Sequence, residues 1–389
     1  MGKIKENHRL GRLTGTLLTL SVALLLAGCP AGDDTSSGTA ATDGISGLKT
    51  PTLAVTLPIE HHTPDGLALD PKTNDLLLAC PNFNETAEAY PAWIMKITPE
   101  DKLEKYFELP PHPDTGKACP LGIAFGSDGN LYIADSQGLG GDENYKSRLL
   151  KLTIEDGKPV KCESVVEGFV VSNAVACFGD SVYVTETRFE PSPPAPAEGE
   201  VAPPPGPLAS GVYRFDISEL DPDNPIQLEK GGTDPHVICT IKTISEEWQV
   251  GANGLGFATD GTMYVCNFGD AQLIEVKLDA DGKEVAQKVL AEGDPIESTD
   301  GLKVDPQTGL IYIADFLGNA VHCVDPKTGD VTVIAKNGDT DGTGGLLDKC
   351  SEVGLRDGKI YVSNIDLPFD GNTFDEPYTI SVIELDPAQ

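Results

Sequence analysis

Six times along this chain an apolar strand, a tight polar turn and an apolar-aromatic strand recur, and this self-similarity narrows the possible folds more than any other feature. The copies read DGLALDPKTNDLLLAC (65–80), LGIAFGSDGNLYIAD (121–135), NAVACFGDSVYVTE (173–186), NGLGFATDGTMYVCN (253–267), DGLKVDPQTGLIYIAD (300–315) and SEVGLRDGKIYVSN (351–364). Their turns carry Asp-Gly, Thr-Gly or Gly-Asp, which supply the positive φ that hairpins need. A third strand follows each pair, as in AWIMKITP, SRLLKLTI and SGVYRFDI, and a fourth follows in the first five copies, as in KLEKYFEL, VICTIKTI and GDVTVIAK. The copies start 56, 52, 80, 47 and 51 residues apart, which fits four strands per unit. Beyond residue 28 no segment keeps a 3.6-residue apolar period over several turns, whereas alternation with β-branched and aromatic residues recurs throughout. The expected fold is therefore all-β: a six-bladed β-propeller over residues 51–389 with four strands per blade. The sixth copy runs out of chain after its third strand. Residues 52–57 (TLAVTL) read as the missing outer strand, so that an N-terminal strand closes the ring.

The long spacing of 80 contains EPSPPAPAEGEVAPPPGP (190–207). So many prolines cannot pair in a sheet and predict an extended, exposed loop. Connections after the other second strands are also long (81–91, 136–146 and 365–377), while those after first strands are tight. In a propeller the loops after second strands and those entering first strands share one face. That face is expected to be the working one.

The N-terminus reads differently from the repeats. Lys3, Lys5, Arg9 and Arg12 precede the apolar run Leu17 to Ala27, which ends in Leu26-Ala27-Gly28-Cys29. This is the order of a signal peptide (1–28), and the cysteine at the cut resembles the lipidated Cys of bacterial lipoproteins. Cys29 and the small, polar stretch that follows, to residue 50, predict a lipid anchor and flexible tether. The protein is thus expected in a bacterial cell envelope, touching membrane only through the lipid. Pro30 after the cysteine leans the destination towards the outer membrane. The chain carries 61 acidic against 28 basic residues, net −33, and loses four basic residues and one acid with the signal. Such a surface repels nucleic acid and anionic membranes, so neither is an expected partner; it also serves solubility. The eight cysteines other than Cys29 allow up to four disulfides in an oxidising compartment, with Cys80 and Cys119 as one conceivable pair. Zinc-site spacings, the phosphate-cradling GxxxxGK, the dinucleotide GxGxxG and the GxSxG nucleophile elbow are all missing from the sequence.

The innermost strand of each blade lines the channel, so the residue opening each copy faces the axis: Asp65, Leu121, Asn173, Asn253, Asp300 and Ser351. Asp-Gly and Asn-Gly are turn dipeptides as well as ligand sources, and one such position alone reads best as a turn. Two carboxylates and two amides at equivalent places read better as oxygen ligands of one hard divalent cation. Without that cation the like charges would repel in a narrow channel.

The repeat, the blade count and these opening residues resemble the senescence marker protein / gluconolactonase / luciferin-regenerating enzyme family, which shares its architecture with diisopropyl fluorophosphatase and paraoxonase. The resemblance spans residues 51–389, and its most specific part is the acid, Asn, Asn and Asp on blades one, three, four and five. It implies a catalytic Ca²⁺, or another divalent ion such as Mg²⁺, Mn²⁺ or Zn²⁺, held by Asp65, Asn173, Asn253 and Asp300. Asn173 is then also a substrate contact and Asp300 the catalytic carboxylate. The implied activity is hydrolysis of a small lactone or ester. Two positions depart from the family pattern: its first-blade acid is usually Glu where this chain has the shorter Asp65, and the third-blade Asn is followed by Ala174 instead of Gly. The shorter acid asks for a displaced ion, a bridging water or help from His62.

Other residues carry less weight. His61 and His62 read as solvated loop histidines. His112, His236 and His322 are placed on loops or outer strands without chemistry. Asp135, Glu186, Asn267, Asp315 and Asn364, which close the second strands, are expected to pin loops. A second reading of the whole stays open: a non-enzymatic envelope lipoprotein whose acidic face binds a protein or carbohydrate.

Overall fold

The computed structural model describes residues 47–84, 88–138, 144–193 and 204–386. The expected signal peptide, Cys29 and most of the Pro-rich run 190–207 lie outside them. Among the described residues there is no α-helix, and twenty-five strands form six sheets arranged as the blades of a propeller. The innermost strands, in chain order, are Leu67–Leu69, Pro120–Phe125, Ser172–Phe178, Ala252–Phe257, Leu302–Val304 and Cys350–Arg356. Each pairs antiparallel with the second strand of its own blade.

The ring closes as the sequence predicts. Thr52–Leu57 pairs antiparallel with Tyr378–Glu384 as the outer strand of blade six. The seam is sealed by apolar side chains from both ends of the chain: Leu57, Leu67, Leu78 and Met95 pack with Tyr361, Ile380 and Val382. The same logic holds between other blades, as where Leu77 and Ile94 of blade one meet Ile123, Ile133 and Leu150 of blade two. The core therefore lies between blades, and each such side chain contributes about 1.5–3 kcal/mol by leaving water.

Blade two differs from the expectation of four strands. Its sheet has five, because Ile226–Gln227 adds itself parallel to the outer strand Lys158–Phe169, at Val166 and Glu167. Those two residues belong to an excursion between the third and fourth strands of blade three, Leu208–Asp216 and Val237–Thr243. The long third repeat thus has two insertions, of which the proline run is one.

The disulfide expectation is not met. Cys80, Cys162, Cys177, Cys239, Cys266, Cys323 and Cys350 are free thiols. Each sits on its own strand, and Cys80 is sealed in the core between blades six and one. Blade packing uses them as small apolar side chains.

Candidate active site in the channel

The backbone sets the site before any side chain does. In blades two, three, four and six the pairing of innermost and second strands slips at the opening residue, between Pro120 and Ile123, Ser172 and Val175, Ala252 and Leu255, and Cys350 and Glu352. A bulge of this kind re-aims a side chain out of the sheet. In blades one and five regular pairing begins only at Leu67 and Leu302, two residues after Asp65 and Asp300. All six opening residues, Asp65, Leu121, Asn173, Asn253, Asp300 and Ser351, accordingly line one cavity of about 320 Å³.

Neighbouring blades approach closely here. A Cβ on Gly254 would stand 2.1 Å from the Asp300 carbonyl oxygen, and one on Gly66 2.2 Å from that of Leu121. Hence the Gly after the opener serves packing, whatever the opener does. The main chain is pinned as well: Gly254 N–H donates to Asp300 O (3.1 Å), Thr185 Oγ1 to Asn253 O (2.8 Å) and Ser363 Oγ to Asp65 O (2.6 Å).

The residues closing the second strands hold the segments that enter this site. Asp135 accepts from Cys119 N–H (2.6 Å) and pairs with buried Arg148 (2.7 Å). Glu186 accepts from Val170 and Val171 N–H at 2.8 and 2.6 Å. Asp315 accepts from Glu297 and Ser298 N–H, each at 2.8 Å, and Asn364 from Asp348 N–H (3.1 Å). Asn267 joins Thr243 Oγ1 instead (2.7 Å). In blades two, three, five and six a carboxylate or amide thus pins the backbone just upstream of the opener, which fits the expected loop-pinning role.

The electrostatics of the cavity are those of two acids short of a counter-charge. Asp65 is buried and Asp300 half-buried, and among the described residues neither forms an ion pair. Burial pushes the Asp65 carboxyl up to about 7, with the Glu352 charge adding to it, while Ser351 and Lys303 pull it back. Burial and then the Asp65 charge push Asp300 well above the carboxylate range, against the Asn253 amide, which lowers it. Ser351 Oγ is buried beside the Asp65 carboxyl. Asn173 Nδ2 rests on Thr187 Oγ1 at 3.3 Å, leaving its carbonyl oxygen uncommitted. Two repelling carboxylates, two amide oxygens and a buried hydroxyl fit a hard divalent cation.

Three features escaped sequence reasoning. Arg188, two residues beyond Glu186, is the one cationic side chain among the residues lining the cavity. Below the openers, Lys303 and Glu352 pair at 3.0 Å across blades five and six. Above them Phe83, Trp248, Phe268, Phe316, Ile365 and Leu367 form an apolar collar. Only the collar had a signal, since apolar residues recur in the loops after second strands.

The histidine readings need correction. His61 and His62 are buried, not solvated. His62 places Nδ1 at 2.8 Å from Ile59 O and Nε2 at 3.2 Å from Asn84 O, so it is not free to assist Asp65. It lines a cavity of about 620 Å³ between loops of blades one and two, which shares Phe83 with the channel site but contains none of the strand openers. His61 stacks edge-on to Trp93, and burial lowers its pKa to about 4. His322 lies on the third strand of blade five, fully buried, with Nε2 2.9 Å from Asp315. His112 is likewise buried, its Nδ1 accepting from Asp114 N–H at 3.1 Å.

No family profile matches the sequence, and no curated protein is similar to it. Solved structures do align with it. A gluconolactonase from Xanthomonas campestris is 13% identical, with a TM-score of 0.51 over 88% of this chain and 99% of that one. The calcium-binding protein regucalcin from Agrobacterium tumefaciens is 14% identical, with 0.53 over 87% and 94%. A PQQ-bound aldose sugar dehydrogenase from Streptomyces coelicolor is 15% identical, with 0.52 over 87% and 98%. At these identities the likeness is one of fold, and its first two members come from the group that the repeats resemble.

Proposed function

We propose that this chain is a metal-dependent hydrolase of a small lactone or ester, with Asp65, Asn173, Asn253 and Asp300 holding a divalent cation, Ca²⁺ foremost, in the channel. The observation that carries the reading is the meeting of two carboxylates without an ion pair, one buried and one half-buried, and two amides in one cavity. The gluconolactonase among the structures of like fold supports the reaction class, and the calcium-binding regucalcin supports the ion. The dehydrogenase on the same fold is why the side chains, not the fold, must bear the argument.

When bound, the cation supplies Lewis acidity towards a carbonyl and the charge that keeps both aspartates ionised. Asp300 then acts in one of two ways: it takes a proton from the attacking water, or it attacks the carbonyl carbon itself. In the first case water adds to the carbonyl, the ester C–O bond breaks, and the alkoxide leaves as the alcohol with the proton that Asp300 took. In the second the C–O bond breaks as an acyl–Asp300 anhydride forms and the alkoxide takes a proton from water, and a water then hydrolyses the anhydride to release the carboxylate and restore Asp300. Asn173 orients the substrate beside the carboxylate. Arg188 offers a positive charge to the carboxylate product at the cavity wall. The apolar collar excludes water and favours substrates with an apolar body over bare polyols. The envelope location stays part of the proposal: Cys29 carries the lipid, and incorporation of labelled fatty acid lost in Cys29→Ser checks it.

The test is a panel of lactones and aryl esters assayed on protein stripped by chelator and then reloaded with CaCl₂. The reading expects activity on at least one member, lost on stripping and restored on reloading. An unchanged rate in chelator, or no turnover of any member by the loaded protein, would reject it in favour of a binding propeller.

A further inference from the structure

Blade six holds a second concentration of acid, separate from the channel openers. Its connection into the innermost strand (337–349) and the one leaving its second strand (365–377) meet through Asp348, Asp366 and Asp375, which offer oxygens all within 4.8 Å of one another. Asp348 and Asp366 are 2% and 1% exposed. Among the described residues none of the three pairs with a Lys, Arg or His. Asp366 is partly satisfied inside its own loop, accepting from Asn372 Nδ2 at 2.8 Å and from Asp375 N–H at 3.1 Å. Asp348 Oδ1 and Asp375 Oδ1 are not: both are buried and have no hydrogen-bond partner. A buried carboxylate oxygen left bare is costly, and more so in a residue grouped with two further carboxylates.

Sequence and field point the same way. Both loops alternate oxygen-bearing residues with turn glycines, Asp339-Thr340-Asp341-Gly342 in one and Asp370-Gly371-Asn372 in the other. Asp339 and Asp341 stand near enough to add their charge to Asp348 and Asp375. Burial, and then repulsion by Asp366, pushes Asp348 up to about 8.

We propose that Asp348, Asp366 and Asp375 form a second cation site, taking a hard divalent ion of Ca²⁺ type where the two loops of blade six meet. Three carboxylates give the charge and the monodentate or bidentate oxygens such an ion uses, with water completing its shell. The ion locks the 365–377 loop against the strand entry at Asp348. Since Ile365 and Leu367 flank Asp366 and line the channel cavity, it also fixes that stretch of the apolar collar.

The experiment is metal counting on the full chain after equilibrium dialysis against CaCl₂, with circular dichroism confirming fold. The wild type should hold two ions per chain, Asp65→Asn/Asp300→Asn one, and Asp348→Asn/Asp366→Asn one. Asp375→Asn, a milder change, should weaken calorimetric Ca²⁺ binding at this site about tenfold or more. A wild type with one ion that Asp348→Asn/Asp366→Asn loses and Asp65→Asn/Asp300→Asn keeps would uphold this site and reject the channel ion. The proposal is overturned if Asp348→Asn/Asp366→Asn and Asp375→Asn bind Ca²⁺ as the wild type does, or if Asp65→Asn/Asp300→Asn binds none.

Discussion

Asp300 and Asp65 line one channel, where burial and their mutual repulsion hold both carboxyls above the usual carboxylate range. If Asp300 is the catalytic carboxylate, Asp300→Asn should lower kcat by about 100-fold or more while the protein stays folded, since a positioned acid or base contributes that much. Steady-state kinetics at saturating CaCl₂ checks this. The same pair sets a pH dependence. In metal-free protein their carboxyls hold protons that the unfolded chain has already released, Asp65 up to about 7. Between about pH 4 and 7 the native state therefore binds more protons than the unfolded one, and stability falls as pH rises. Chelated protein should melt lower at pH 8 than at pH 5, and CaCl₂ should raise the melting temperature more at pH 8. Calorimetry at the two pH values reads both effects. The openers were legible from sequence because a propeller's strand start fixes the axial position. Arg188, the Lys303–Glu352 pair and buried His62 were not, because each owes its place to loops or neighbouring blades whose approach no local pattern encodes.

Among the elements, the short staples at the ends of second strands matter most to the site. Asp135 binds buried Arg148 and the backbone just before Leu121. Replacing it by Ala leaves the guanidinium unpaired in the interior and should cost about 3–5 kcal/mol, measured by urea unfolding. The innermost strands are equally constrained. Gly254→Ala would drive a methyl group into Asp300 O, so it should lower stability and hydrolysis together, in contrast to Asp300→Asn. Strand pairs and hairpin turns were readable from alternation and Asp-Gly signals. The bulges at the openers and the fifth strand of blade two were not, since a one-residue slip or a two-residue parallel pairing leaves almost no periodic trace.

At the scale of the molecule, a ring of blades is held by its closure and by cores between neighbours, without covalent ties among the free thiols. Reductant should consequently leave the melting temperature unchanged, and a fall on reduction would contradict the free cysteines. Closure by the 52–57 strand was legible because blade six ran out of chain. That Cys80, Cys162, Cys177, Cys239, Cys266, Cys323 and Cys350 stay free thiols was not, since cysteine count and compartment say nothing of where side chains point. The central claim is that the channel openers jointly hold one cation. A crystal grown in CaCl₂ and examined by anomalous scattering tests it most directly. The account predicts a peak on the channel axis about 2.3–2.6 Å from oxygens of Asp65 and Asp300; a channel without such a peak, with both carboxylates ordered and apart, would contradict it.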